Sequence, residues 1–272
     1  MRGVLCKATL VGVLAALPGV AQAGWVSEWT NVAVKQNGEH LDPQPSTMAI
    51  AGGRVRLEQP DVITLIDYNG GRFTLVNPTK QYFWSGTVDD YVRELSMQRE
   101  KDFRAQLGGA NIKKKSKDGE DKYAPPKIDP AKLPPLSITK TEVKEKVAGY
   151  DTVKYEFRTD GDLFQEVWVA PALDVSSELD PGRYLALQTK LGAVMMGKAA
   201  GQYNALYFND EYRKLMEKGF VVKTVTHHIA GSFERTATSV RQADVPSSQF
   251  DVPDGYRRVN LSDVLSAPTP SS

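Results

Sequence analysis

The chain has 272 residues, with 34 lysines and arginines against 33 aspartates and glutamates, and a single cysteine. This balance argues against nucleic-acid binding, which uses a strongly basic face. The lone thiol, Cys6, falls within the first 23 residues, so no disulfide or paired-thiol chemistry is expected after them; a chain of this length can bury a core without such staples.

The first element is an export signal. Arg2 and Lys7 bracket a positive start, an apolar run covers 8–20, and Ala21-Gln22-Ala23 puts small residues at −3 and −1 before Gly24. A signal peptidase cuts that pattern. The run is shorter than the ~20 apolar residues of a membrane-spanning helix. The expected location is therefore the periplasm, with cleavage after Ala23. Gly24 stands where a lipid-modified cysteine would be, so no lipid anchor is expected.

Strands are predicted next at 25–35, 54–59, 62–68, 72–76 and 81–85. They are β-branched and aromatic, and Gly52-Gly53, Gln59-Pro60-Asp61, Asn69-Gly70-Gly71 and Asn77-Pro78 separate them. Such spacing reads as an antiparallel meander. A helix follows from a capping box at Thr87 and Asp90. Val88, Tyr91, Val92, Leu95, Phe103 and Leu107 share its apolar face, and Gly108-Gly109 ends it.

Residues 108–135 change character. Lys113 to Lys122 is a charge run without apolar anchors, and Pro125, Pro126, Pro130, Pro134 and Pro135 follow. This segment reads as a flexible insertion. Its lysines over 113–132 suit a peripheral contact with anionic lipid, but Asp118, Glu120 and Asp121 dilute them, which suits a solvated loop.

Strands resume at 137–147, 151–158 and 163–169, with turns at Gly149-Tyr150 and Asp160-Gly161. A second helix is predicted over 181–200, apolar through Tyr184, Leu185, Leu187, Leu191, Val194, Met195 and Met196 and loosened by glycines. A short helix at 210–218 precedes a hairpin of 220–229 with 233–243. The tail, 261–272, is expected to be disordered.

Motif chemistry is sparse. His227 and His228 are neighbours on a predicted strand and point to opposite faces, and His40 sits in a polar turn. No metal-ligand spacing, nucleophile elbow or phosphate loop appears, so no metal or cofactor is expected. The aromatics say more. Trp25, Trp29, Tyr82, Phe83, Trp84 and Trp168 fall on strands, with Tyr82 and Trp84 on one face and Phe83 on the other. Such a set lines an apolar cavity or fills a core, and the pattern does not choose between them. Met195 and Met196 carry the same ambiguity.

Several segments resemble a known family. Gly-Arg-Val-Arg-Leu-Glu (53–58), Thr-Leu-Ile-Asp (64–67) and Phe-Thr-Leu-Val-Asn-Pro-Thr-Lys-Gln-Tyr (73–82) are similar in order to the strands of the bacterial periplasmic lipoprotein-carrier superfamily, the outer-membrane lipoprotein localisation factors. Residues 149–155, 166–170 and 250–256 resemble a related exported domain-of-unknown-function family. The resemblance spans about 25–258. It implies a curved antiparallel sheet forming an incomplete barrel, its concave face covered by helices; in the carriers that face holds acyl chains. The 108–135 insertion departs from the pattern, and no carrier ligand residue is matched one by one.

The fold class expected is therefore mainly β with helices, as a single half-barrel domain over 24–260. The expected function is non-enzymatic binding of a lipid or acylated ligand by Tyr82, Trp84, Leu191, Val194 and Met195. An envelope interaction or stress-sensing module without a ligand, engaging an envelope protein partner, is one alternative. A hydrolase with dispersed carboxylates, which leaves no local motif, is another. The signal predicts a mature protein beginning at Gly24. Intact mass of protein from the envelope fraction checks this, and a membrane-retained chain still carrying residues 1–23 contradicts it.

Overall fold

The computed structural model describes residues 21–106, 123, 127–192 and 197–266. Most of residues 1–23, expected to be an export signal, most of 108–135, expected to be a flexible insertion, and 193–196 with Val194 and Met195 lie outside the described residues.

One 12-stranded sheet organises the chain. A first meander comprises β1 (Ala21–Lys35), β2 (Gln44–Ala51), β3 (Arg54–Glu58), β4 (Ile63–Asp67), β5 (Arg72–Asn77) and β6 (Tyr82–Thr87). Helix α1 (Val88–Gln106) follows. The second meander begins with β7 (Leu136–Val147), β8 (Tyr150–Thr159) and β9 (Asp162–Ala170). Helices α2 (Pro181–Gly192), α3 (Gly197–Tyr207) and α4 (Asp210–Met216) interrupt it before β10 (Phe220–His228) and β11 (Gly231–Pro246). A short strand β12 (Arg257–Arg258) and helix α5 (Leu261–Leu265) close the described chain.

The strand order is β12-β6-β5-β4-β3-β2-β1-β11-β10-β9-β8-β7. All neighbours are antiparallel except β12 beside β6. The sheet does not close on itself, so the molecule is mainly β with helices, as the patterning predicts. Its two meanders join where β11 returns to pair β1 along its whole length, Ala21 opposite Pro246 and Lys35 opposite Gly231.

Local chemistry explains most boundaries. The β7–β8 and β8–β9 turns place Ala148 and Gly149, then Asp160 and Gly161, at positive φ. Two successive positive-φ residues are what a tight hairpin needs to match strand twist. At α1, the Thr87 hydroxyl accepts from the Asp90 amide at 3.1 Å, and Asp90 accepts from the Thr87 amide at 3.0 Å. That is the reciprocal box expected from the sequence.

Four expectations change. β2 escapes detection because Pro43, Pro45 and small residues mask it; β1 and β3 on either side make it a strand. Phe103 is 54% exposed, because the part of α1 that packs on the sheet ends near Leu95 and the last turns extend beyond it. Leu107 lies outside the described residues. The helix predicted over 181–200 is two helices, with α3 running on to Tyr207. Residues 261–265, expected as disordered tail, form α5. Leu261 and Val264, one turn apart, bury themselves against β5, β6 and α1. Asn77 Nδ2 and Lys80 Nζ donate to the Val264 and Ser266 carbonyls, which fixes the helix end.

The packing predicts a sharp contrast between two phenylalanines. Phe157 is fully buried with its ring 5.7 Å from that of Tyr212, so Phe157→Ala should cost about 3–5 kcal/mol. Phe103→Ala should change stability by no more than about 0.5 kcal/mol. Denaturant unfolding of the two variants checks both values.

Candidate functional site

Strand alternation builds one concave apolar face. Trp29 on β1, Met48 and Ile50 on β2, Val55 and Leu57 on β3 and Ile66 on β4 follow from the cross-strand register: Met48 faces Leu57, Ile50 faces Val55, and Val55 faces Ile66. The two ends of this face are filled. At one, Phe73, Leu75 and Trp84 pack under α1, α5 and Leu187 of α2. At the other, Phe157, Phe164 and Val167 pack under α2, α3 and α4. Between them lies a cavity of about 390 Å³, within the size range of small-molecule sites.

Helices and one loop complete the cavity. Tyr184 comes from α2, Tyr203 and Tyr207 from α3, and Tyr212 from α4. Tyr203 and Tyr207 stack at 6.0 Å, and Tyr207 and Tyr212 lie 6.3 Å apart. Burial pushes the Tyr68, Tyr184, Tyr207 and Tyr212 hydroxyls above their ordinary range, so these rings stay neutral at physiological pH. The loop before α2 contributes Leu173 and Leu179. Its Glu178 accepts from the Gly52 amide at 2.7 Å through its side chain and from the Gly53 amide at 2.8 Å through its carbonyl. Loop and β2–β3 turn are thereby tied together at the cavity edge.

Part of the polar surroundings is committed to hydrogen bonds. Gln165 donates to Thr226 Oγ1 at 3.0 Å. Asn31, which faces Arg235 across the β1–β11 register, donates to the Gln44 carbonyl and to Ser46 Oγ. Arg235 differs. Its guanidinium lies 4.1 Å from the centre of the Trp29 ring, and its Nη2 is buried without a hydrogen-bond partner. Burial draws its pKa down, and neighbouring Tyr184 acts in the opposite sense. An arginine still keeps its charge under these conditions.

Of the residues expected from the sequence to bind ligand, three pack beside the cavity and not on it. Trp84 is buried and donates from Nε1 to Glu94 Oε1 at 3.0 Å. Tyr82 and Leu191 pack partly buried against the same α1–α5 cluster. None of these three lines the cavity. Val194 and Met195 lie outside the described residues. Sequence reasoning misses Met48 and Ile50 because it misses β2. Arg235 also escapes it, although Phe233-x-Arg235-x-Ala237 is a visible cation on an otherwise apolar strand face.

The histidines divide as strand alternation requires. His227 pairs with Glu166 at 2.9 Å, while exposed His228 accepts from the Ala230 amide. Glu166 also pairs with Lys154, and Lys154 and Lys223 lie 5.0 and 4.4 Å from the Trp168 ring. Burial raises the Glu166 pKa, but hydrogen bonds and charge from Lys154 and His227 outweigh it and hold the carboxyl below its ordinary value. His40 forms a bridge with Val34. Among the described residues no group of three or more His, Cys, Asp or Glu side chains is placed to hold a metal ion.

No family model matches the chain, and no curated protein matches it. Solved structures show distant similarity. PNGF-II in a C2 crystal form is 13% identical with a TM-score of 0.39, over 90% of this chain and 32% of that one. The Pseudomonas aeruginosa MucA/MucB complex is 12% identical with a TM-score of 0.35, over 85% of this chain and 56% of that one. A Vibrio parahaemolyticus domain described as an outer membrane lipoprotein-sorting protein is 11% identical with a TM-score of 0.29, over 84% of this chain and 89% of that one. At these values the likeness carries no functional assignment.

The Glu166 cluster gives a pH prediction. Folding favours the ionised carboxylate, so its contribution is complete above the unfolded pKa of about 4.3 and is lost as pH falls through the lower folded value. Glu166→Gln should lower the melting temperature most near neutral pH, and the gap should close in acid. A gap that stays constant between pH 3 and pH 7 would contradict this assignment.

Proposed function

We propose that this is a non-enzymatic envelope protein that holds a lipid or acylated ligand in the cavity between the half-barrel sheet and helices α2–α4. One observation carries the reading: helices fill both ends of a continuous apolar face and leave about 390 Å³ open between them. Interiors normally pack with few voids larger than a water molecule. A space of this size bounded by Met48, Ile50, Leu57 and tyrosine rings suits an acyl chain, whose binding scales with apolar area removed from water.

Export through residues 1–23 is proposed to deliver the protein to the periplasm. The 113–132 lysines are proposed as its peripheral contact with an anionic bilayer. Tyr82, Trp84 and Leu191 are proposed to back the ligand from the packed cluster beside the cavity rather than to touch it; Val194 and Met195, expected as ligand contacts, lie outside the described residues. The dispersed-carboxylate alternative finds little support on the lining, where Asp174 and Glu217 are both exposed.

A titration with N-phenyl-1-naphthylamine, whose fluorescence rises in apolar surroundings, tests the reading. The wild type should bind saturably near one probe per chain. Leu57→Ala should weaken binding by roughly tenfold, about 1.4 kcal/mol. Met48→Asp, which puts a charge among apolar groups, should abolish it in a chain that still melts cooperatively. No saturable binding by wild type, or unchanged binding by Met48→Asp, would retire the ligand-binding function.

A further inference from the structure

We propose that the ligand is a single-chain amphiphile with an anionic head, a carboxylate or a phosphate monoester, and that Arg235 holds that head; this rests on the reading above that the cavity takes an acyl chain. Arg235 lines the cavity from β11, and its register partners are Asn31 on β1 and Thr224 on β10. The side chain therefore projects from the middle of the sheet into apolar space. Its Nη2 is buried with no hydrogen-bond partner. Among the described residues, no carboxylate forms an ion pair with it.

The surroundings do not relieve this. Asn31 and Gln165 donate to Gln44, Ser46 and Thr226, and no protein oxygen accepts from Arg235 Nη2. Trp29 occupies one face of the guanidinium at 4.1 Å. A cation–π contact stabilises a cation by about 0.5–2 kcal/mol, far less than desolvating an unpaired charge costs. It also leaves the Nη2 donor, at the edge of the guanidinium, without an acceptor. That edge is a planar fork matched to carboxylate and phosphate oxygens. An acidic head beside Arg235 would satisfy the orphan donor while the acyl chain runs along Met48, Ile50 and Val55. The buried, neutral tyrosines leave the guanidinium as the dominant charge for such a head.

Displacement of the naphthylamine probe tests this on the full mature chain. Dodecanoate and dodecyl phosphate are compared with methyl dodecanoate, dodecanol and inorganic phosphate. In wild type, at least one acid should displace the probe at a concentration tenfold or more below its neutral counterpart, and which acid does so identifies the head. Inorganic phosphate alone should displace nothing. Arg235→Met should erase the preference while neutral ligands still bind within about threefold of wild type, and Arg235→Lys should retain part of it. Equal displacement by acid and ester in wild type overturns the inference and leaves apolar binding standing. A preference that survives Arg235→Met, or displacement by inorganic phosphate, also overturns it. Failure of every acyl ligand to displace the probe, or of the probe to bind, takes down the ligand-binding function and the inference with it. The wild-type comparison needs no variant, so the inference is exposed to refutation even if Arg235→Met does not fold.

Discussion

The pairing of β1 with β11 holds the rest of the molecule in place. It joins residues nearly the full chain apart, Lys35 opposite Gly231 and Gly24 opposite Ala243. Closing so long a loop costs little more than closing a shorter one, because the entropy grows only logarithmically. The gain is large. Without this seam, each meander would expose a long unpaired edge. With it, the sheet is continuous from β12 to β7 and its concave face runs unbroken. A register shift between Glu28 and Trp29 sits at the middle of the seam. There Trp29 turns its ring toward Arg235 on one side and Phe220, 6.1 Å away, on the other.

The helices explain why the concave face is filled at its ends and not at its centre. Helix α1 covers β5 and β6, and α5 folds back to complete that end through Leu261 and Val264. Helices α3 and α4 cover β8 and β9. Among the described helical residues, those of α2 alone touch both clusters, through Leu187 on one side and Leu185 on the other. It bridges the gap with Tyr184 and Gln188 on the cavity. Tyrosines give this wall broad, stiff surfaces with two rotatable side-chain bonds each, which favours a preserved space over collapse. The tie from Glu178 to Gly52 and Gly53 anchors the loop that leads into α2.

Much of this architecture is legible in the sequence, and the exceptions share a cause. β3 to β6 and β7 to β11 announce themselves through β-branched alternation and turn pairs such as Asp160-Gly161. The capping box at Thr87 and Asp90 marks the start of α1 with similar clarity. β2 and α5 do not, because Ser46, Thr47 and Ala49, or five residues after Asn260, have weak propensities of their own; tertiary neighbours make them regular. The site is legible to the same depth. Alternation shows that Tyr82 and Trp84 share a face, and that face is the concave one. Which stretch of it is filled depends on where α1 and α5 dock, and no local pattern encodes that. The consequence is concrete: Trp84 becomes core, while Met48, Ile50 and Arg235 border open space.

The central claim is that the cavity holds an apolar molecule in the cell. Native mass spectrometry of protein released gently from the envelope, followed by solvent extraction of what it carries, addresses that directly. The account predicts a bound species near one per chain that yields an acyl-containing acid in negative-ion mode. A homogeneous ligand-free mass, with no extractable lipid and no uptake after incubation with envelope lipids, would contradict it.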